Sequence, residues 1–257
     1  MKTSLFVART SFIHGLDPRT KMVAVAMSFA GLLLFDDPVF LLGPAAALLL
    51  VSLAGGVFRR FLAGALVLGS FGMLTFLVWP LFLTLRGQGG LPAWIYGAGV
   101  GLRLIEILLA AFLLMLTTSN EQMLAGLGRL GMPYPMVFSL SLTSRLLPSL
   151  LATAGHVVEA QRLRGLRFDE GGLVRRARRY IPLLVPILAC SLRTVHQMSW
   201  ALEAKGFGVD GGRRVPFLEL RMRGRDWAVL VLSVAVLAGA LWARTHGIGI
   251  LGMMHGA

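Results

Sequence analysis

Apolar residues fall into long runs along this chain, separated by short basic or turn-forming segments. Met22 to Phe35 is the first run, and at 1.5 Å per residue it covers only about 21 Å, short for a full membrane crossing. Asp36-Asp37-Pro38 breaks it. Val39 to Phe58 follows and stops at Arg59-Arg60; Phe61 to Leu85 stops at Arg86 and a glycine-rich turn; Ala93 to Leu116 makes the fourth run, and Trp227 to Trp242 the last. The pattern predicts about five membrane helices. Arg19, Lys21, Arg59 and Arg60 flank the predicted cytoplasmic ends, which puts the N-terminus inside and the C-terminus outside.

Between the fourth and fifth runs the pattern changes. Thr118-Ser119-Asn120-Glu121-Gln122 reads as a helix cap and first turn, with the helix ending near Gly131 ahead of Pro133. Leu146 to Arg164 carries apolar residues at Leu147, Leu150, Leu151, Ala154, Val157 and Val158, near helical spacing. From Tyr180 a second amphipathic helix is predicted, with Ile181, Leu184, Val185, Leu188, Leu192, Val195 and Leu202 on one side and Arg193, Gln197 and Glu203 on the opposite edge.

Both amphipathic segments end in a similar cassette. The first is Ala160-Gln161-Arg162-Leu163-Arg164-Gly165, the second Ala201-Leu202-Glu203-Ala204-Lys205-Gly206-Phe207. Each closes on a cation followed by glycine. Glycine takes the left-handed conformation that stops a helix, and a cation suits the negative end of the helix dipole. An isolated pair of this kind is usually a plain C-cap. Two in one chain, each on a long amphipathic helix, read as tips that dock on another protein.

Composition narrows the class. The chain of 257 residues is 56% hydrophobic and only 14% charged, well below the quarter typical of soluble domains. It is a polytopic membrane protein. The net charge of +13 does not call for nucleic acid, because the cations sit beside apolar runs where topology accounts for them. Fifteen lysines and arginines lie between Arg145 and Arg225, among them the Arg175–Arg179 cluster and Arg213-Arg214, both suited to an anionic lipid surface. No removable signal peptide is expected in Met1 to Lys21. His14, His156, His196, His246 and His255 have no metal-ligand spacing, so no metal is assigned. No Gly-x-x-x-x-Gly-Lys-Ser/Thr occurs, so any ATP must be bound by another chain. The lone Cys190 cannot form an internal disulfide. Arg103 and Glu106, three residues apart inside the fourth run, read first as a neutralising pair within one helix, with an intramembrane substrate or proton role as the alternative. Gly43, Gly55, Gly56, Gly64, Gly69 and Gly72 allow close helix approach, whether to a partner or internally.

With these residues in place, the chain resembles the transmembrane T component of energy-coupling factor (ECF) transporters. The likeness spans nearly the whole sequence and rests on Leu16-Asp17-Pro18-Arg19-Thr20-Lys21, Thr118-Ser119, Leu130-Gly131-Met132-Pro133, Arg145-Leu146-Leu147-Pro148 and the two cassettes. The family's hallmark is a pair of Ala-Arg-Gly tripeptides, here Leu163-Arg164-Gly165 and Ala204-Lys205-Gly206. The resemblance implies an all-α fold divided into N-terminal transmembrane helices (1–118), a cytoplasmic region of amphipathic coupling helices (119–226) and a C-terminal transmembrane helix with its tail (227–257). It also implies a non-catalytic, multi-pass subunit of the cell membrane without cofactor. That subunit links two ABC-type ATPase subunits to a small integral-membrane S component, which binds a vitamin or a transition-metal ion. Arg164 and Gly165, and Lys205 and Gly206, with Ala160, Ala204 and Glu203 beside them, would then dock on the ATPases. Lys205 departs from the family arginine, and lysine lacks the planar fork that grips a carboxylate at two points.

Two other functions compete. A permease of a binding-protein-dependent ABC importer docks through a Glu-Ala-Ala-type loop, which Glu203-Ala204-Lys205-Gly206 faintly echoes, but it is expected to have one such loop where this chain has two. A lipid-modifying membrane enzyme would need a nucleophile, an acid–base pair or a metal cluster at the interface, and none is found.

Overall fold

The computed structural model describes residues 11, 13–35, 37–87, 90–165, 173–207 and 222–246. Asp36 and the Arg213-Arg214 pair lie outside them, as do the side chains of Arg175 to Arg179. The described residues form eight helices and no strand: α1 (Pro18–Leu32), α2 (Pro38–Ala54), α3 (Phe58–Leu85), α4 (Leu91–Thr117), α5 (Asn120–Arg129), α6 (Tyr134–Leu163), α7 (Leu173–Ala204) and α8 (Gly224–Thr245). The chain divides into two compact units. One holds residues 1–132 and 220–257, the other residues 133–219.

Local chemistry starts several helices. Asp17 caps α1 by accepting the Arg19 amide at 3.0 Å, with Pro18 in the first turn; Asp37 caps α2 through the Val39 amide, also at 3.0 Å, ahead of Pro38. An aspartate accepts an orphan N–H, while proline neither needs one nor resists the helical φ. Ser119 and Gln122 form a reciprocal capping box at the start of α5.

The first unit is built on the α3–α4 hairpin. Val57, Phe61, Leu109, Leu113 and Leu116 form its buried apolar cluster. Further along the hairpin, glycines bring the two backbones together. A Cβ on Gly72 would lie 2.1 Å from Ile105 Cγ1 and 3.0 Å from the Gly101 carbonyl, and one on Gly97 would lie 2.6 Å from Pro80. Gly64 likewise meets Phe112, whereas Gly43 and Gly69 have nothing within 4 Å. Of the close-approach glycines, Gly64 and Gly72 therefore serve internal packing. Trp79 packs edge-on against Phe82 and Tyr96 towards the Arg86 end of the hairpin, an aromatic belt of the kind found at membrane interfaces.

Length and composition mark five helices as able to cross a membrane: α3, α4, α6, Ile181–Ala204 of α7, and α8. The number agrees with the sequence pattern, but its members differ. α1 and α2 have 15 and 17 residues, and α6 and the greater part of α7 meet the measure instead. Both of these helices also start earlier than periodicity indicated, α6 at Tyr134 and α7 at Leu173. Their helical course continues across Pro148, Pro182 and Pro186, residues that cost a helix one bond each without having to end it.

The charged pair predicted in α4 does not form. Arg103 Nη2 donates to the Phe35 carbonyl at the end of α1, and Glu106, 1% exposed, has no hydrogen-bond partner on either carboxylate oxygen. A free carbonyl at a helix end competes well for a long arginine, since it is an orphan acceptor at the negative end of the dipole.

Candidate functional site: two cationic helix ends

Both cassettes end their helices as the residue types dictate. At α7, Gly206 has φ +71°, its N–H donates to the Glu203 carbonyl at 2.9 Å, and the Phe207 N–H donates to the Leu202 carbonyl at 2.9 Å. Those two bonds are the Schellman closure, which uses up carbonyls the helix leaves orphaned. At α6, Gly165 has φ +88° and donates to the Arg162 carbonyl at 3.0 Å, while the Arg164 amide donates to the Ala160 carbonyl at 3.2 Å. A β-carbon is strained at these φ values, so the glycines fix where each helix stops. The cation one position earlier is then held at the rim.

The two rims are open. Leu163, Arg164 and Gly165 are exposed, Leu163 by 91%, as are Ala204, Lys205 and Gly206. Neither the Arg164 guanidinium nor the Lys205 ammonium has a hydrogen-bond or ion-pair partner among the described residues. Ala160 is exposed, and Glu203 accepts from Ser199 Oγ at 3.4 Å one turn back. Glu159 sits 3.8 Å from His156 on the surface of α6. Both glutamates thus pair along their own helices, leaving the end cations uncompensated.

An aromatic stack holds the second rim in place. Phe207 packs on Phe138 with centroids 4.4 Å apart and planes 30° from parallel, and Phe138 continues to Tyr134 at 6.1 Å. The C-terminal end of α7 is therefore fixed beside the first turns of α6. Arg164 lies at the other end of α6, and the span from 138 to 164 at 1.5 Å per residue is roughly 39 Å. The two cations stand at opposite ends of the helix pair. Sequence reasoning placed Phe207 in its cassette but gave it no task, because stacking across 69 positions leaves no local signal.

The apolar stripe predicted on α7 is found on the outside. Ile181, Leu184, Val185, Leu188, Leu192 and Val195 are all more than half exposed, whereas Leu183 is buried. α6 has no buried residue. Among the described residues, then, most of the α7 stripe is surface, while on α6 Leu147 and Leu151 are exposed and Leu150, Val157 and Val158 half-buried.

A second polar cluster, in the first unit, escaped the sequence reading in its full extent. Asp226, in the first turn of α8, accepts the Asp17 amide at 2.7 Å on Oδ1 and the Arg223 amide at 2.8 Å on Oδ2. Lys21 Nζ donates to the Thr117 carbonyl at 3.0 Å and to the His14 carbonyl at 3.4 Å. Asp17, Lys21, Thr117 and Asp226 are all buried. Burial pushes the Lys21 ammonium down to about 8 from the ordinary 10.5, and the carboxylates of Asp226 and Asp17 oppose that shift. Between those two values the unfolded chain binds more protons than the folded one, so folding gains stability as pH rises through this window. We expect the stability of the wild type relative to Lys21→Met to increase from pH 8 to 10.5, read from thermal midpoints in detergent. A difference that stays flat across the window would contradict this.

Sequence comparison with known proteins identifies the family. The family described as "CbiQ: Cobalt transport protein" matches residues 9–215. Curated relatives named energy-coupling factor transporter transmembrane protein EcfT include those of Heliobacterium modesticaldum, 31% identical, and Thermosediminibacter oceani, 28% identical. Each match covers 93% of this chain and 96% of the relative. The protein from Bacillus selenitireducens is 30% identical, over 94% of this chain and 96% of its own. A family match over most of the chain, relatives aligned nearly end to end and five helices fit for a membrane lead to one conclusion: the chain belongs to the CbiQ family and is a multi-pass cell-membrane protein, the transmembrane T component of an ECF transporter.

Proposed function

We propose that this T component imports no substrate by itself but couples two ABC-type ATPase subunits to a small integral-membrane S component that binds a vitamin or a transition-metal ion. One observation carries this reading: two exposed cations, without partners among the described residues, stand at glycine-stopped helix ends at opposite extremes of the α6–α7 pair. A separation of roughly 39 Å is too large for one groove to receive both cations, which supports one ATPase per cation. A charge on a rigid helix end transmits movement with little slack, and glycine stops of this kind remove the fraying that would otherwise absorb it. ATP is held and hydrolysed by the partners, and this chain needs no cofactor. In this reading α6 and α7 do not cross the membrane but lie on its cytoplasmic side, so that both cations face the ATPases. Their exposed apolar residues suit a membrane partner such as the S component or lipid.

Purification of the tagged chain from its native membrane in mild detergent tests this. Two ATPase subunits per chain and one small membrane protein should be recovered, with ATP hydrolysis in the eluate. Recovery of the chain without any ATPase would overturn the proposal. A soluble binding protein in place of the small membrane protein would point to a classical permease.

A further inference from the structure

The unit of residues 133–219 joins the rest of the chain through only two covalent connections, one leaving through α4 and α5, the other returning into α8. Traced back into the first unit, on the outgoing side past α5, both lead to the same buried polar cluster. On the outgoing side, the last carbonyl of α4, that of Thr117, accepts from Lys21 Nζ at 3.0 Å. Immediately after it, Ser119 caps α5, and α5 lies so close to α1 that a Cβ on Gly126 would meet Met22 at 2.6 Å. On the returning side, the first turn of α8 is held by Asp226, which spans the Arg223 amide of its own helix start and the Asp17 amide ahead of α1. Asp17 and Lys21 lie one turn apart at the start of α1. One short segment thus holds the roots of both connections.

We infer that Asp17, Lys21 and Asp226 are positioning residues that root both connections of the α6–α7 unit in one buried knot, so that a displacement arriving along either connection reaches α1, α4 and α8 together. The inference rests on the proposed coupling role for its functional consequence, and on the hydrogen bonds alone for its structural one. Its physical basis is directness. Every contact in the knot joins a buried charged side chain to a backbone group, so moving the backbone of one root draws on the start of α1 and through it on the other root. The opposite end of α1 supplies an internal control. There Arg244 of α8 donates to the Leu34 carbonyl at 3.3 Å, and Arg103 of α4 to that of Phe35, so α1 is tied to the same two helices but far from both roots.

The test uses hydrogen exchange on the full chain in nanodiscs, alone and assembled with its ATPases. Variants Lys21→Met and the near-isosteric Asp226→Asn are compared with Arg244→Gln. In the chain alone, either knot variant should raise exchange about tenfold at both roots, residues 117–123 and 223–228, whereas Arg244→Gln leaves both unchanged. In the complex, trapping with ATP and vanadate should alter exchange in α1 and α4 of the wild type and of Arg244→Gln. That response should vanish in the knot variants while trapped nucleotide stays at the wild-type level. Exchange that rises only at the root touching the mutated residue would overturn the shared rooting. A vanadate response surviving in both knot variants would overturn its role in coupling. Failure of wild type to assemble with an ATPase would instead sink the coupling reading, and the chain-alone arm would still decide the knot.

Discussion

Gly72→Ala destabilises the chain by about 2–3 kcal/mol, and Gly69→Ala, less than one turn away on the same helix, does not. The added methyl at position 72 lies 2.1 Å from Ile105 Cγ1 and 2.3 Å from its Cδ1, distances at which atoms cannot remain. Ile105 has little freedom to yield, since a β-branched side chain on a helix keeps essentially one χ1 rotamer. Backing α3 away would relieve this clash and the one with the Gly101 carbonyl at 3.0 Å, but it gives up the close packing of the two helices, including the approach at Gly97. Position 69 has nothing within 4 Å, so alanine there only improves helix propensity, by up to about 1 kcal/mol. Thermal midpoints of the purified chain in detergent separate the two. The double variant Gly72→Ala/Ile105→Ala should recover part of the loss, because it removes the nearest clash and leaves only the backbone contact. Equal midpoints for the two single variants would mean that α3 and α4 are not seated as closely as described.

What the sequence made legible was mostly local. Asp36-Asp37-Pro38 announced the break between the first two runs, Ser119 with Gln122 announced a cap, and Lys205-Gly206 announced a stop; each signal sits within four residues of the bond it makes. Long apolar runs gave the all-helical membrane class for the same reason. The first turns of α6 and α7 were missed because residues 134–145 and 173–179 lie outside the amphipathic spacing read from Leu146 and from Tyr180, the second stretch being a dense basic cluster with no apolar stripe of its own. Periodicity found the stripe from Ile181 to Val195 but could not say what it faces. A stripe marks a face to be covered, and its cover here is not another part of the described chain.

Long-range polar contacts were the least legible. Asp226 reaches Asp17 across 209 positions and Lys21 reaches Thr117 across 96, and no spacing rule joins them. Arg103 shows how such contacts mislead. Its neighbour at i+3 offered the obvious partner, yet the helix-end carbonyl of Phe35, 68 positions away, takes the guanidinium. Local electrostatics ranked the candidates within one helix correctly as possible and could not weigh an acceptor supplied by the fold.

At the helix ends, Arg164→Ala should weaken ATPase association more than Lys205→Ala. Removing one partner of a buried interfacial ion pair costs about 2–5 kcal/mol, and a bidentate arginine belongs at the upper part of that range. That cost corresponds to a rise in Kd of about thirtyfold or more for Arg164→Ala. Lysine, a single strongly hydrated point charge, gives up more hydration and forms fewer fixed bonds, so its loss costs less. The surroundings sharpen the comparison. Both cations follow the same backbone course into a positive-φ glycine, at +88° and +71°, so the difference between them lies in the side chain rather than in presentation. Titration of purified ATPase against the chain in nanodiscs measures each Kd, and Lys205→Arg supplies the decisive comparison. It should tighten binding or leave it unchanged, because the guanidinium brings the second hydrogen bond to a rim already held by the Phe207–Phe138 stack. Weaker binding by Lys205→Arg would show that its groove is shaped for an ammonium. Equal losses for the two alanine variants would show that charge alone, and not the fork, is what the ATPases read.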